Sequence, residues 1–218
     1  MTLTTTTEYP RLIGLSGWAR AGKDTVAARL VSEHGYTKIG WADLLRACVV
    51  ALDPVVGLEY QAPRAFGPRD QVPYRLVRYT EVLDRYGYEG AKSSPFAEEC
   101  RGALQKMGTE VGRNLLGADI WVQATMNSLD PAKRYVFIDC RFPNEADAVR
   151  DAGGKVLRVR REGVGPANDH ASETSLDDYR FDVIIDNDAT IEALNGEVDR
   201  VLRYLGLPTA KPAIRKVA

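Results

Sequence analysis

Gly17-Trp18-Ala19-Arg20-Ala21-Gly22-Lys23-Asp24-Thr25 decides the fold. It follows an apolar run, Leu12-Ile13-Gly14-Leu15, and opens an apolar-periodic one, Val26-Ala27-Ala28-Arg29-Leu30-Val31. The order is strand, glycine loop, helix, with the G-x-x-x-x-G-K spacing of a loop that cradles phosphate. Gly17 and Gly22 let the backbone turn tightly, so that successive N–H groups converge on one anion. The helix that begins near Gly22 adds the positive end of its dipole. Lys23 brings a mobile point charge to terminal phosphates. Asp24 stands where Ser or Thr usually holds Mg²⁺. A carboxylate suits that place if Mg²⁺ lies between it and a triphosphate, because hard cations take oxygen ligands. Thr25 can supply a hydroxyl instead, and the alternative for Asp24 is a first-turn acid of an ordinary βα turn.

Working outward, strands alternate with helices. The first helix runs over 22–34 and ends near Gly35, a second strand over 36–41 follows, and Asp43 is a natural N-cap for the next helix, which Pro54 stops. Residues 55–72 read as irregular, 72–86 as a helix, and 96–116 as a long helix begun by Ser94-Pro95. Tyr135–Asp139 is a continuous apolar run ending in an acid, which suits a strand buried on both faces. A helix over 143–152, a strand over 155–160, a strand over 182–186 and a helix over 190–205 complete the pattern. This predicts an α/β fold of three layers, a parallel sheet of about five strands with helices on both faces. A helical insertion, residues 55–130, falls between the second and third sheet strands. The expected organisation is a lead (1–10), one domain (11–207) with a loop-rich lid (160–176), and a loose tail (208–218).

The bulk figures narrow the choice. In 218 residues, 44% are hydrophobic and 27% charged, the balance of a globular chain able to bury a full core. With 29 basic and 30 acidic residues the net charge is −1, so no basic field draws the chain to nucleic acid. Cys48, Cys100 and Cys140 are too few and too widely spaced for a disulfide framework or a zinc site. Cys48 and Cys140 read as small buried hydrophobes, and a reducing cytoplasm is expected. Residues 1–8 carry neither a basic nor an apolar segment of a signal peptide, and no stretch approaches a membrane span.

In open α/β sheets ligands bind beyond the carboxyl ends of the strands, where the glycine loop, Asp43, Asp139, Arg160 and Asn187 all fall. Asp139 can hold or orient Mg²⁺; its alternative is an N-cap for the helix at Pro143. Arg141 follows, within Arg-Phe-Pro-Asn-Glu145, and could instead pair with Glu145. Phosphoryl transfer needs positive charge around a spreading negative transition state. Arg20, Arg46, Arg113, Arg141, Arg160 and Arg161 come from separate segments and form a candidate set. Arg160 and Arg161 precede Gly163 and Gly165, which permit closure of a lid. His170 and Glu173 are too few for zinc and suit a lid hydrogen bond. Asn187-Asp188 can meet a nucleobase edge, or Asp188 or Thr190 can cap the last helix.

Six stretches carry a resemblance. They are Gly17–Thr25, Ala42-Asp-Leu-Leu-Arg46, Leu104-Gln-Lys-Met-Gly-Thr-Glu-Val-Gly-Arg113, Asp139-Cys-Arg-Phe-Pro-Asn-Glu145, His170-Ala-Ser-Glu173 and Asp186-Asn187-Asp188. With them the chain resembles the bacteriophage deoxynucleoside monophosphate kinases, within the P-loop nucleoside monophosphate kinases. The resemblance implies transfer of the ATP γ-phosphate to a deoxynucleoside monophosphate, with Mg²⁺, in the cytoplasm (the host's if phage-encoded). It assigns Gly17, Ala19, Arg20, Ala21, Gly22, Lys23, Asp24, Thr25 and Asn187 to ATP, and Asp24 and Asp139 to the metal. Lys23, Asp139, Arg141, Arg160 and Arg161 are the expected catalytic residues, and Asp43, Arg46, Gln105, Thr109 and Arg113 the acceptor's. The alternatives are a P-loop kinase of the dephospho-coenzyme A or phosphomevalonate type, or a nucleotide-binding protein without turnover. The acceptor is the only partner implied, and a homodimer stays open.

Overall fold

A computed structural model describes residues 9–60, 74–166 and 174–206. The described residues form two compact units, one of residues 9–41, 129–166 and 174–206, the other of residues 42–60 and 74–128.

The first unit is built on a five-stranded parallel sheet. Its strands are β1 (Leu12–Ser16), β2 (Tyr36–Ile39), β5 (Arg134–Phe137), β6 (Lys155–Arg160) and β7 (Val183–Asp186), in the order β2-β5-β1-β6-β7. Each pairing is parallel, as with Gly14 beside both Phe137 and Val156. The expected α/β class and the five-strand parallel sheet are what forms. Parallel strands need crossovers, and the helices α1 (Lys23–His34), α6 (Pro143–Asp151) and α7 (Ile191–Leu205) provide amphipathic cover. β1 is buried throughout, and Ile13, Leu15, Val26, Leu30, Val136, Leu157, Ile185, Val198 and Leu202 form one core. Each such side chain contributes about 1.5–3 kcal/mol by leaving water, so the central strand is the best-anchored part of the unit. The glycine loop therefore starts from a fixed point.

The second unit holds α2 (Asp43–Leu52), a hairpin of β3 (Val55–Tyr60) and β4 (Tyr74–Arg78), α3 (Tyr79–Ala91), α4 (Ala97–Gln105), a π-helical segment (Lys106–Leu116) and α5 (Ile120–Asn127). Several expectations are corrected here. Residues 55–60 are a strand, not irregular, and 74–78 pair with them before the helix begins at Tyr79. Val56 and Val77 are buried in the unit's core while Leu58 and Leu76 face outward. The expected single helix over 96–116 is α-helical only to Gln105, beyond which its turns widen. The N-cap of α2 is Ala42, with Asp43 the first helical residue. Likewise Ser94 accepts the Phe96 N–H from outside α4, whose N-cap is Phe96.

Among the described residues no helix is long and apolar enough to cross a membrane. Cys100 and Cys140 are buried, whereas Cys48, expected to be buried, is half-exposed on α2. Residues 1–8 of the expected lead (1–10), the tail from 208, the middle of the lid (167–173, with His170 and Glu173) and residues 61–73 lie outside the described residues.

Candidate phosphate-binding loop and acceptor cleft

The loop between β1 and α1 has the backbone its glycines call for. Gly17 and Gly22 have φ of 139° and 109°. A Cβ at Gly17 would run into the Val159 carbonyl, and one at Gly22 into the Asn187 side-chain amide. Only a bare α-carbon fits either place. Arg20, at the tip, also takes a left-handed φ of 66°. Ala21 is buried and its N–H donates to the Trp18 carbonyl at 3.2 Å. Ala19 and Arg20 are exposed.

Lys23 is the first residue of α1, and its Nζ donates to the Gly17 and Trp18 carbonyls at 2.5 and 2.8 Å. The ammonium thus lies across the mouth of the loop. Lys23, Ser16, Gly17, Trp18, Ala19, Cys140, Arg141, Arg158 and Leu176 line one small cavity. Three cations around a pocket floored by main chain favour an anion with several oxygens. Asp24 is exposed and 3.4 Å from Lys38, and Thr25 is half-buried one residue on.

Asp139 lies two residues past β5 and is half-buried. Its alternative as a helix cap is not taken up. The N-cap of α6 is Phe142, and the buried Glu145 carboxylate accepts the N–H groups of Arg141 and Phe142 at 2.7 and 3.1 Å. Glu145 therefore shapes the turn that carries Arg141 through the main chain. Burial pushes the neighbouring Cys140 thiol up, away from a thiolate at neutral pH.

Arg160 is the last residue of β6 and forms a two-pronged pair with Asp186, at 2.8 and 3.1 Å, which holds its guanidinium's pKa up. Arg161 is exposed in the turn that follows. Asn187 lies below the glycine loop, its amide donating to the Ala21 carbonyl at 2.9 Å.

In the second unit, Asp43 accepts from Arg46 Nη1 at 2.7 Å, and Arg46 Nε donates to the Tyr88 hydroxyl at 2.9 Å. Gln105, Thr109 and Arg113 line one cleft of about 270 Å³ with Leu45, Arg101, Leu104, Gly108 and Trp121. Their spacing of four explains why. In an α-helix residues four apart overshoot one turn, whereas in a π-turn, closed by bonds to the fifth residue, they fall short of one. Arg101 to Gln105 drifts one way and Gln105 to Arg113 drifts back, so the four stay on one face. The wide ladder is explicit where the Gly117 N–H meets the Gly112 carbonyl at 3.1 Å. Trp121 closes the cleft's floor by donating its indole N–H to the Gly108 carbonyl at 2.9 Å.

Arg158 and Arg101 were not picked out from sequence. Each had a signal: Arg158 is a charge inside an apolar strand, and Arg101 lies four residues before Gln105. Among the described residues no group of three or more His, Cys, Asp or Glu could hold a metal by itself.

Comparison with known proteins bears on this arrangement. A family profile described as deoxynucleotide monophosphate kinase matches residues 95–198, which hold the π-helical segment, Asp139 to Glu145, Arg158 and Asn187. Over that stretch, a little under half of its length, the chain is similar to the deoxynucleotide monophosphate kinases. The putative deoxynucleotide monophosphate kinase of Acanthamoeba polyphaga mimivirus is 26% identical, over 86% of this chain and 93% of its own. The deoxynucleotide monophosphate kinase of Escherichia phage RB69 is 31% identical over 47% of this chain and 44% of its own length, so this match spans about half of each protein. A crystal structure of TT1252 from Thermus thermophilus is a looser likeness, with 19% identity and a TM-score of 0.37 over 91% of this chain and 99% of that one. Both viral relatives carry the name deoxynucleotide monophosphate kinase, the first as a putative one.

Proposed function

We infer that the chain transfers the γ-phosphate of ATP to a deoxynucleoside monophosphate, giving the diphosphate and ADP. The observation that carries this is the loop of Gly17 to Thr25, with two α-carbons that admit no side chain, main chain open to an anion, and Lys23, Arg141 and Arg158 around one cavity. Its residues fit a polyphosphate: amides and the start of α1 for the oxygens, Lys23 for the terminal phosphates. Asp24 and Asp139 would hold the Mg²⁺ that travels with ATP, which supplies charge neutralisation at the transferring group. The cleft of Arg101, Gln105, Thr109 and Arg113 supports binding of the acceptor monophosphate, its arginines suiting phosphate and its Gln and Thr a base edge. Asp43 fixes Arg46, a second phosphate-facing candidate, against Tyr88.

Phosphoryl transfer asks a protein for positioning and charge more than for covalent chemistry. Lys23 and Arg141 answer to the charge on the donor, Arg113 and Arg46 to that on the acceptor, and Arg161 completes the set from the turn after β6. The test is a coupled ADP-release assay with ATP, Mg²⁺ and a panel of acceptors. Turnover is expected with one or more deoxynucleoside monophosphates. Turnover only with dephospho-coenzyme A or phosphomevalonate would overturn the acceptor, and tight ATP binding without any acceptor-dependent ADP release would overturn the enzyme.

A further inference from the structure

Arg158 is out of place in its strand. It is the fourth residue of β6, between Leu157 and Val159, and only 9% exposed. A cation buried to that extent must be partnered. Its Nη1 donates to the Leu176 carbonyl at 2.9 Å and its Nη2 to the Asp177 carboxylate at 2.7 Å. Its guanidinium carbon lies 5.0 Å from the centre of the Trp18 ring and 5.3 Å from that of Phe181. Trp18 is the residue after Gly17, and its carbonyl accepts both from Ala21 N–H and from Lys23 Nζ. The same arginine, Trp18, Lys23 and Leu176 line the cavity in the loop's mouth.

We propose that Arg158 is a positioning residue that couples the phosphate-binding loop to the segment Leu176–Asp177, gripping the loop through the face of Trp18. This rests on the reading that the loop holds the phosphates of ATP. The plane of a guanidinium suits both jobs at once: its edge donates to a carbonyl and a carboxylate while its face packs on an indole. A lysine would keep the charge and lose the arrangement. Because Trp18 presents the carbonyl that shapes the loop from inside, setting the indole sets the amides near Ala21. Segment 174–177 and the donor site then order together.

The test uses the full chain. Arg158→Ala and Trp18→Ala are each expected to raise the KM for ATP about tenfold with a smaller change in kcat, and the double variant no more than either alone. Arg158→Lys should behave like Arg158→Ala, and Trp18→Phe close to the parent. Without nucleotide, the Ala21 amide should exchange with deuterium faster in both alanine variants while the amides of β1 are unaffected. If Arg158→Ala does not fold, Asp177→Asn with the Trp18 variants makes the same comparison. Additive effects, or a lower melting temperature with unchanged Ala21 exchange and KM, would overturn the coupling and leave Arg158 a strap for residues 174–177 alone. A parent chain that neither binds nor turns over ATP would sink the donor-site reading; the exchange comparison, made without nucleotide, would still decide the coupling.

Discussion

Asn187 donates its side-chain amide to the Ala21 carbonyl at 2.9 Å, across 166 positions of sequence. Its own N–H donates to the Arg160 carbonyl at 2.8 Å. One residue thus joins the end of β6 to the underside of the glycine loop. Asn187→Asp sets a carboxylate oxygen against a carbonyl and is expected to raise the KM for ATP several-fold. Losing the bond costs about 1 kcal/mol, or a melting temperature lower by about 2–4 °C at this size. Thermal melts beside ATP titrations read both.

Gly22→Ala should abolish tight ATP binding, because the new methyl meets that same Asn187 amide and φ is 109°. Gly196, exposed in α7 with open space around its α-carbon, is the contrasting position. Gly196→Ala is expected to stabilise by about 0.5–1 kcal/mol, the difference in helix propensity, and to leave ATP binding alone. Calorimetric binding and denaturant melts separate the two.

Lys23→Ala should lower turnover by about a hundred- to a thousand-fold, the scale of losing one preorganised charge contact in a transition state. Its hydrogen bonds to Gly17 and Trp18 are local, so stability should fall by about 1 kcal/mol at most. Equal losses of fold and activity would show the lysine to be structural.

Arg113→Gln, in the cleft of the second unit, is expected to raise the KM for the acceptor about tenfold while the KM for ATP stays put. Steady-state kinetics with each substrate varied in turn decides it. A rise in the ATP KM alone would remove Arg113 from the acceptor's site.

Asp199 on α7 accepts from Arg29 and lies 2.8 Å from His34, both at α1, and the Arg29 guanidinium holds its carboxyl down to about 2. The native state therefore prefers the ionised acid more than the unfolded chain does. The stabilisation is complete above the ordinary carboxylate range near pH 4 and is lost as pH falls toward 2. Asp199→Asn should remove about 1 kcal/mol at neutral pH, the figure discounted for solvent screening, and should flatten the acid limb of a stability–pH curve.

The parallel sheet, the loop and its lysine were legible because each rests on local sequence: unbroken apolar runs for β1, β5 and β6, and glycines where only glycine fits. The hairpin of β3 and β4 was not, because Val55 to Tyr60 is half-exposed and interrupted by Gly57, so it shows neither clean alternation nor a buried run. The change of helix type at Lys106 is invisible to a search for 3.6-residue periodicity. Yet Gln105, Thr109 and Arg113, marked by resemblance, do share a cleft. Asn187 was marked for the nucleotide's base, and its placement under the loop depends on a contact no local pattern encodes. Arg158 escaped notice because a charge within an apolar strand reads as an edge residue until its partners at 176 and 177 are known.

The widened turns of Lys106–Leu116 give the cleft an unusual kind of control. Four side chains face one way only because the ladder changes pitch beneath them, so the shape of the pocket is stored in main-chain hydrogen bonding. Deleting Glu110 or Val111 would let the ladder relax to the tighter pitch and rotate Arg113 relative to Gln105, with no lining residue removed. Selectivity in such a pocket can be retuned by shortening or lengthening the chain as well as by exchanging its side chains.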